Sequence, residues 1–217
     1  LVNSPCLNVN NVNWRTGTNY GSSNGIGYFQ NTNPNFPMQS GVILSTGNVM
    51  NAVGPNTSML NDGLNTWPGD ADLESTLANA GIAMTSSNAT VLEFNFTALS
   101  PFFDFDFLFA SNEYGEYQCG FSDVFAFVLT NLTTGISTNL AVIPNTSIPV
   151  SVKNIRDSAY NTSCLSQNTS FFASYNVNNP SESAINMRGQ TVLMTAFSEV
   201  IPNQNYQIRM VIGDYND

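Results

Sequence analysis

Phenylalanine occupies every odd position from 103 to 109, while Asp104 and Asp106 occupy even positions between them. Successive side chains of a β-strand point to opposite faces of the sheet. This pattern therefore predicts a strand over residues 102–109, with an aromatic face in the core and a carboxylate face toward solvent.

Several other segments show strand patterns. Residues 90–96 and 206–212 alternate with the same period of two. More continuous apolar runs, typical of strands covered on both sides, occupy residues 124–129, 140–143, 148–152 and 191–197. Asn, Gly and Asp separate these runs at short spacing, as turns require. The sequence therefore predicts an all-β fold, a jelly-roll-like β-sandwich.

One short helix is predicted over residues 71–80. Asp70 precedes it as an N-cap, Leu73 and Leu77 share one face, and Gly81 follows its last residue. Outside this helix, we expect Trp14 and Trp67 to pack in the core or in turns.

The composition is uniform along the 217 residues, so we expect a single domain over 1–217, with 1–40 as an extended N-terminal segment packed on it. No run of 18 or more apolar residues occurs, which argues against insertion into a membrane. The opening residues lack the charged and apolar regions of an export signal. We expect a secreted or cell-surface protein whose signal has been removed.

Charge and histidine content narrow the function. Fifteen acidic and five basic residues give a net charge of -10, which disfavours nucleic acid as a partner. The chain contains no histidine, so Ser-His-Asp triads, Cys-His pairs and His-ligated zinc are excluded. We therefore expect a binding module and not an enzyme.

Three cysteines allow at most one intramolecular disulfide. We favour Cys119 with Cys164, which leaves Cys6 free or bonded outside the chain. The alternative is three buried free thiols.

Acidic residues are few but grouped at predicted strand and helix ends. Calcium prefers six to eight oxygen ligands in flexible geometry, which such loops supply. The residues predicted to bind Ca²⁺ are Asp70, Asp72, Glu113, Glu116, Asp123 and Asp214. The alternative is that Asp70 and Asp72 only cap the helix and Asp123 only begins a strand.

Tyrosines next to these acids suggest a ligand. Tyr114 and Tyr117 are expected to be exposed and to stack on sugar rings. A pair of carboxylates also serves glycoside hydrolases, so Glu113, Glu116 and Asp123 are candidates for that chemistry. Nothing in the sequence indicates a substrate cleft, and binding is the preferred hypothesis.

Four motifs in order resemble the choice-of-anchor L domain family: GVILSTG at 41–47, GDADL at 69–73, ASNEY at 110–114 and FSDVFAF at 121–127. The resemblance covers about residues 38–217. It implies an adhesin-like secreted or surface protein of Bacteroidetes that uses type IX secretion. The family's acidic signature falls on Asp70, Asp72, Glu113, Glu116 and Asp123, whereas Asn112 departs from the acid often found there.

The resemblance also implies a further C-terminal strand after residues 212–214 that is missing from this sequence. Its absence would leave a sheet edge open for self-association or for a donor strand. The leading hypothesis is a calcium-stabilised adhesion or interaction module that binds a surface glycan or a protein. A structural or filament-forming module is the second hypothesis, and a carboxylate-dependent hydrolase is the third.

Overall fold

The computed structural model describes residues 7–60 and 65–215, and about 40% of the chain lies in strands. In the described residues the strands are β1 (Leu7–Arg15), β2 (Ile26–Gln30), β3 (Ser40–Leu44), β4 (Ser87–Ala98), β5 (Phe102–Phe107), β6 (Ala110–Ser111), β7 (Val124–Asn131), β8 (Ser137–Asn139), β9 (Phe172–Tyr175), β10 (Gly189–Thr191), β11 (Met194–Glu199) and β12 (Asn205–Asp214). The one α-helix among them is α1 (Ala71–Asn79). The all-β prediction is confirmed.

The main sheet has five antiparallel strands in the order β1-β4-β12-β7-β8. β12 lies between β4 and β7, so that Met210 is opposite Leu92 on one side and Phe127 on the other. The period of two predicted for residues 90–96 and 206–212 is present in β4 and β12. Each strand therefore sends alternate side chains to the two faces of the sheet.

The second layer covers one face of the main sheet with three small sheets. These are the pair β5–β11, the hairpin β2–β3, and β6–β10–β9. Phe103 stacks on Phe96 of β4 with ring centroids 4.7 Å apart, and Phe107 lies 5.1 Å from Phe127 of β7. Asp104 on the other face of β5 is exposed. The alternation of this segment is confirmed, although the strand ends at Phe107 and not at residue 109.

Helix α1 packs on the opposite face of the main sheet. Leu73 and Leu77 are fully buried there, in a cluster with Val91, Ala126 and Val211. The Leu73 amide donates to Asp70 Oδ1 at 3.0 Å, so the predicted N-cap is present. Within the described ranges no helix is long and apolar enough to cross a bilayer.

Two predicted strands are wrong. Residues 140–143 and 148–152 make only isolated bridges, of Val142 with Pro149 and of Ser151 with Val124. Prolines interrupt the hydrogen-bond pattern that a strand there would need. Most of the apolar side chains are nevertheless buried, because the segment packs against the aromatic core, whereas Ile148 is 41% exposed. The run at 191–197 is also split, since β10 ends at residue 191 and β11 begins at residue 194.

The favoured disulfide is present, with Cα atoms of Cys119 and Cys164 5.6 Å apart. The disulfide closes a loop of 45 residues. By restricting the unfolded chain, a loop of this length is expected to contribute about 4 kcal/mol to the free energy of unfolding. Cys6 lies outside the described residues.

Trp67 is buried as predicted and its indole N–H donates to the Ala89 carbonyl at 3.1 Å. The prediction for Trp14 is wrong, because it is 60% exposed on the edge strand β1.

The edges of the main sheet are β1 and β8, not β12. An edge left open beside the final described strand is therefore not observed, since β12 is paired on both sides. β1 has an irregularity between Asn10 and Asn13, and β8 has three residues. Bulges and short strands are common devices that discourage edge-to-edge pairing.

The helix contact gives the first prediction. Leu73→Ala should lower the free energy of unfolding by about 2–5 kcal/mol, because it leaves a cavity between α1 and the main sheet. Urea denaturation followed by circular dichroism measures this change. The exposed neighbour substitution Ser75→Ala should change it by no more than about 0.5 kcal/mol. Equal effects of the two substitutions would contradict the packing described for α1.

Candidate functional site

A cavity of about 1290 Å³ lies between the β2–β3 hairpin and the main sheet. The hairpin forms its roof, and side chains of β4, β7 and β12 form its floor. Most of the lining is apolar, including Phe29, Val42, Ile43, Leu44, Leu92, Phe94, Phe105, Phe125, Phe127, Met210 and Ile212. Tyr28, Met50 and Val53 also line it and are themselves about 70% exposed, so the cavity opens to solvent beside the hairpin.

The charged residues of this lining are all acidic. They are Asp106, Glu113, Asp123 and Asp214, and among the described residues no lysine or arginine lines the cavity. Asp214 ends β12 and Asp123 immediately precedes β7. Because β12 and β7 are antiparallel, these two positions meet at the same end of the main sheet. Glu113 follows β6 and reaches the same end.

We call Glu113, Asp123 and Asp214 the carboxylate cluster. The Asp123 amide donates to Glu113 Oε2 at 2.6 Å, and Ser111 Oγ lies 3.1 Å from Asp123 Oδ2. Asn88 Nδ2 donates to Asp214 Oδ2 at 2.9 Å, and the Asp123 carboxyl is hydrogen-bonded to Asp214. The cluster therefore joins four strand ends through its hydrogen bonds.

Burial raises the pKa of Asp214, because the charged form loses contact with water. Hydrogen bonds from the side chains of Asp123, Asn88 and Thr46 act in the opposite direction and are weaker than the effect of burial. The raised pKa means that the protonated form of Asp214 is more favoured in the folded protein than it would be in water.

The structure separates the six residues predicted to bind calcium into three places. Asp70 and Asp72 lie on the opposite face of the main sheet. Asp70 Oδ2 accepts from Arg15 and from Arg209, each at 2.5 Å, while Arg209 also contacts Asp72 at 3.5 Å. Asp70 caps α1, as the alternative interpretation predicts, whereas the ion pairs of Asp70 and Asp72 with arginine were not predicted from the sequence.

Glu116 forms the third place, away from the carboxylate cluster. Its carboxylate is exposed and lies 3.2 Å from Arg188 Nη1. Arg188 in turn donates to Tyr175 Oη at 2.9 Å. Within residues 7–60 and 65–215 no group of three or more acidic or cysteine side chains is arranged to hold a metal ion.

Tyr114 is not an exposed ligand-binding residue, and this prediction is wrong. Its side chain is 0% exposed, with its ring 5.0 Å from Phe172 and 6.4 Å from Phe109. Gly189 lies so close that a Cβ atom there would be 2.6 Å from Tyr114 Cβ. Burial, and secondarily the charge of Glu113, raises the pKa of its hydroxyl. Tyr117 is half-buried against Phe121, and its role in ligand binding stays a prediction.

Sequence reasoning missed the hairpin roof and the polar partners of the cluster. Asn88 and Thr46 supply hydrogen bonds to Asp214 from distant parts of the chain, and Ser111 supplies one to Asp123. Ser111 lies in the ASNEY motif, so a local signal existed for it. Nothing in the sequence indicated that the hairpin would stand above the sheet and enclose a cavity.

A mainly antiparallel β-sandwich with a disulfide is typical of extracellular domains. The family model of the Choice-of-anchor L domain matches residues 1–217, so the chain belongs to that family. The match spans the whole chain and not only the region from about residue 38. The family is one of extracellular, surface-associated domains and is not an enzyme family. No curated protein and no solved structure matches the chain.

Asp214 gives a pH prediction. Since its pKa is raised in the folded state, the stability it contributes is present at low pH and is lost as pH rises through that raised value. Asp214→Asn keeps an acceptor for Asn88 and carries no charge. In excess chelator, its melting temperature should therefore rise relative to the native protein between pH 4 and pH 7.

The exposed carboxylate Asp104 supplies the control. Differential scanning calorimetry of Asp104→Asn over the same pH range measures the effect of removing a surface carboxyl group, and the change with pH should be larger for Asp214→Asn. Equal changes for the two variants would contradict the raised pKa of Asp214.

Proposed function

We propose that this domain is an extracellular interaction module whose ligand enters the cavity between the β2–β3 hairpin and the main sheet. The observation that carries the proposal is a preformed cavity with an apolar floor and acidic residues as its charged groups. Ligand sites are usually concave, mostly apolar and furnished with a few convergent polar groups. The family's location at the cell surface supports a role in adhesion to a partner.

The lining favours a ligand with apolar surface. Phe94, Met210 and Ile212 would leave the hydroxyl groups of a glycan with few hydrogen-bond partners on the floor. Burying apolar ligand surface against these side chains is favourable in free energy. Glycan binding by this domain stays a prediction, and the cavity supports it less well than it supports an apolar partner.

The third hypothesis, glycoside hydrolysis, has less support from the cluster. Such enzymes hold two carboxyl groups on opposite sides of a sugar. Glu113 instead accepts the backbone amide of Asp123, and Ser111 lies against both carboxylates. The hydrogen bonds that link Glu113 to Asp123 favour a structural or ligand-orienting role for both residues.

A neutral solvatochromic dye, Nile red, tests access to the cavity. The folded domain should bind it saturably, with a blue-shifted emission, because the cavity floor is apolar. Met210→Trp should reduce this binding strongly, since Met210 is half-buried on the floor and the larger ring occupies cavity volume. Fluorescence titration measures both effects.

Leu132→Trp is the matched control, because Leu132 is 46% exposed and lies outside the cavity lining. It should bind the dye as the native protein does, and circular dichroism should show both variants folded. Absence of saturable binding by the native domain, or equal binding by the two variants, would overturn the proposed site.

Calcium binding stays a prediction, and we infer that it would require the side chains of the carboxylate cluster to rearrange, because the described acidic side chains are not arranged to hold a metal ion. Three carboxyl groups with Ser111 and Asn88 supply oxygen atoms of the type calcium prefers. A bound calcium ion would compensate the cost of burying the charged form of Asp214, which is the cause of its raised pKa.

Calcium at about a hundred times its dissociation constant should raise the melting temperature by about 5–10 °C at pH 7 relative to excess chelator. Asp123→Asn should lose this increase, whereas Asp72→Asn should keep it, because Asp72 pairs with Arg209 on the other face. Scanning calorimetry provides the measurement. If calcium and chelator give the same melting temperature for the native protein, the domain is not calcium-stabilised.

A further inference from the structure

We propose that the cavity accepts an extended peptide segment of a partner protein, which adds to the β5 edge as a strand and places a basic side chain against the carboxylate cluster. This inference rests on the proposed function, since it names the ligand of the same cavity. It follows from three features: an unpaired strand edge, an incompletely covered floor, and the sign of the charges.

The first feature is the edge of β5. Among the described residues β5 pairs only with β11, and residues 103–108 make no other backbone-to-backbone hydrogen bond. Phe105, Asp106 and Phe107 line the cavity, whereas no residue of β11 does. The cavity therefore lies along the β5 edge that faces away from β11. Unpaired N–H and C=O groups on such an edge are a template for another strand.

The second feature is the floor beside this edge. Met210 and Ile212 of β12 lie there and are only partly buried, although their neighbours under β5 are covered by its phenylalanines. The β2–β3 hairpin stands on the far side and is likewise a two-stranded sheet among the described residues. The second layer thus has a gap between β5 and the hairpin, with unpaired strand edges on its border. A strand in this gap would send alternate side chains onto Met210 and Ile212.

The size of the cavity supports a peptide over a small molecule. Pockets for small ligands commonly measure about 300–1,000 Å³. This cavity, at about 1290 Å³, is larger, and it runs along a strand edge. Peptide recognition by strand addition combines main-chain hydrogen bonds with pockets for alternate side chains, and both are available here.

The third feature is charge. The cavity carries four carboxylates and, within the described residues, no basic side chain. The cluster lies toward the carboxyl end of β5, because Phe107 at that end contacts Phe125, two residues after Asp123. An antiparallel guest strand would bring its amino-terminal end to the cluster, and antiparallel pairing is slightly more stable than parallel pairing. A lysine or arginine near the amino-terminal end of the guest would therefore be favoured.

Charge also selects a partner protein over a second copy of this chain. Each copy carries a net charge of -10 and has five basic residues, so two copies repel each other. A guest of opposite charge would instead be attracted, with an association rate that falls as salt increases.

The test uses synthetic peptides and the 217-residue chain. The probe is acetyl-Lys-Thr-Val-Thr-Val-Thr-Val-Thr-amide, with companion peptides that carry Ile or Phe in place of Val. Hydrogen exchange measured by mass spectrometry should show added protection in residues 102–108 when a probe binds. The edge strand β1 is the internal control, and its exchange should not change. General pairing with any open edge would protect β1 as well and would overturn the proposal.

Two N-methylated forms of the probe test the pairing. Amides of alternate residues point to the same side of a strand, so methylation of the Val amides and methylation of the Thr amides block opposite edges. The form that blocks the edge facing β5 should bind about tenfold or more weakly than the probe. Replacing Lys with Glu should also weaken binding, and added salt should reduce that difference. Equal affinity of all these peptides would overturn the proposal.

Failure of this inference is distinguishable from failure of the proposed function. Nile red binding that Met210→Trp removes, without peptide-induced protection of β5, would leave the cavity as a ligand site and exclude strand addition. Protection of residues 102–108 that appears only on concentrating the chain, together with dimers in sedimentation, would assign the gap to a second copy. That outcome would overturn the choice of a partner protein.

Discussion

Strand β12 hydrogen-bonds to β4 along one side and to β7 along the other, although it is the last of the described strands. Its alternating side chains make contacts on both faces of the main sheet. Val211 packs under α1, Arg209 binds Asp70, Met210 and Ile212 form the cavity floor, and Asp214 joins the carboxylate cluster. Loss of β12 from its position would therefore separate β4 from β7 and remove the floor and the cluster together. The stability of the site and the stability of the fold depend on the same hydrogen bonds.

Three of the few basic residues of the chain are arginines whose positive charges balance carboxylates outside the cavity. Arg15 and Arg209 both form ion pairs with Asp70. Arg209 also pairs with Glu93 and Asp72. Arg188 pairs with Glu116. These pairs lie outside the cavity. The charged side chains that line the cavity are acidic, and among the described residues no lysine or arginine lines it. Such an imbalance favours a cation as the group that completes the cluster, whether it is a metal ion or a basic side chain.

Local pattern predicted the strands and the helix well because their signals are contained within a few residues. The phenylalanines of β5 and the cap at Asp70 could be recognised without knowledge of any distant contact. The burial of Tyr114 could not be recognised in this way, because it depends on Phe172 and on the absence of a side chain at Gly189. The sequence likewise shows which acidic residues are neighbours along the chain, but not which ones are neighbours in space. Asp70 and Glu113 both belong to acidic groups in the sequence, but they lie on opposite faces of a sheet whose strand order is non-local.

The cavity persists because the hairpin above it is held at its base and at its turn. At one end Thr90 Oγ1 donates to the Ser45 carbonyl at 2.7 Å, and Gly25 lies so close to both groups that no side chain fits there. At the turn of the hairpin Asn33 Nδ2 donates to the Glu182 carbonyl at 3.2 Å. A roof held in this way resists collapse onto Met210 and Ile212, so the apolar floor is exposed before any ligand arrives. Preorganisation of this kind lowers the entropic cost of binding, because the guest and not the domain is the part that becomes ordered.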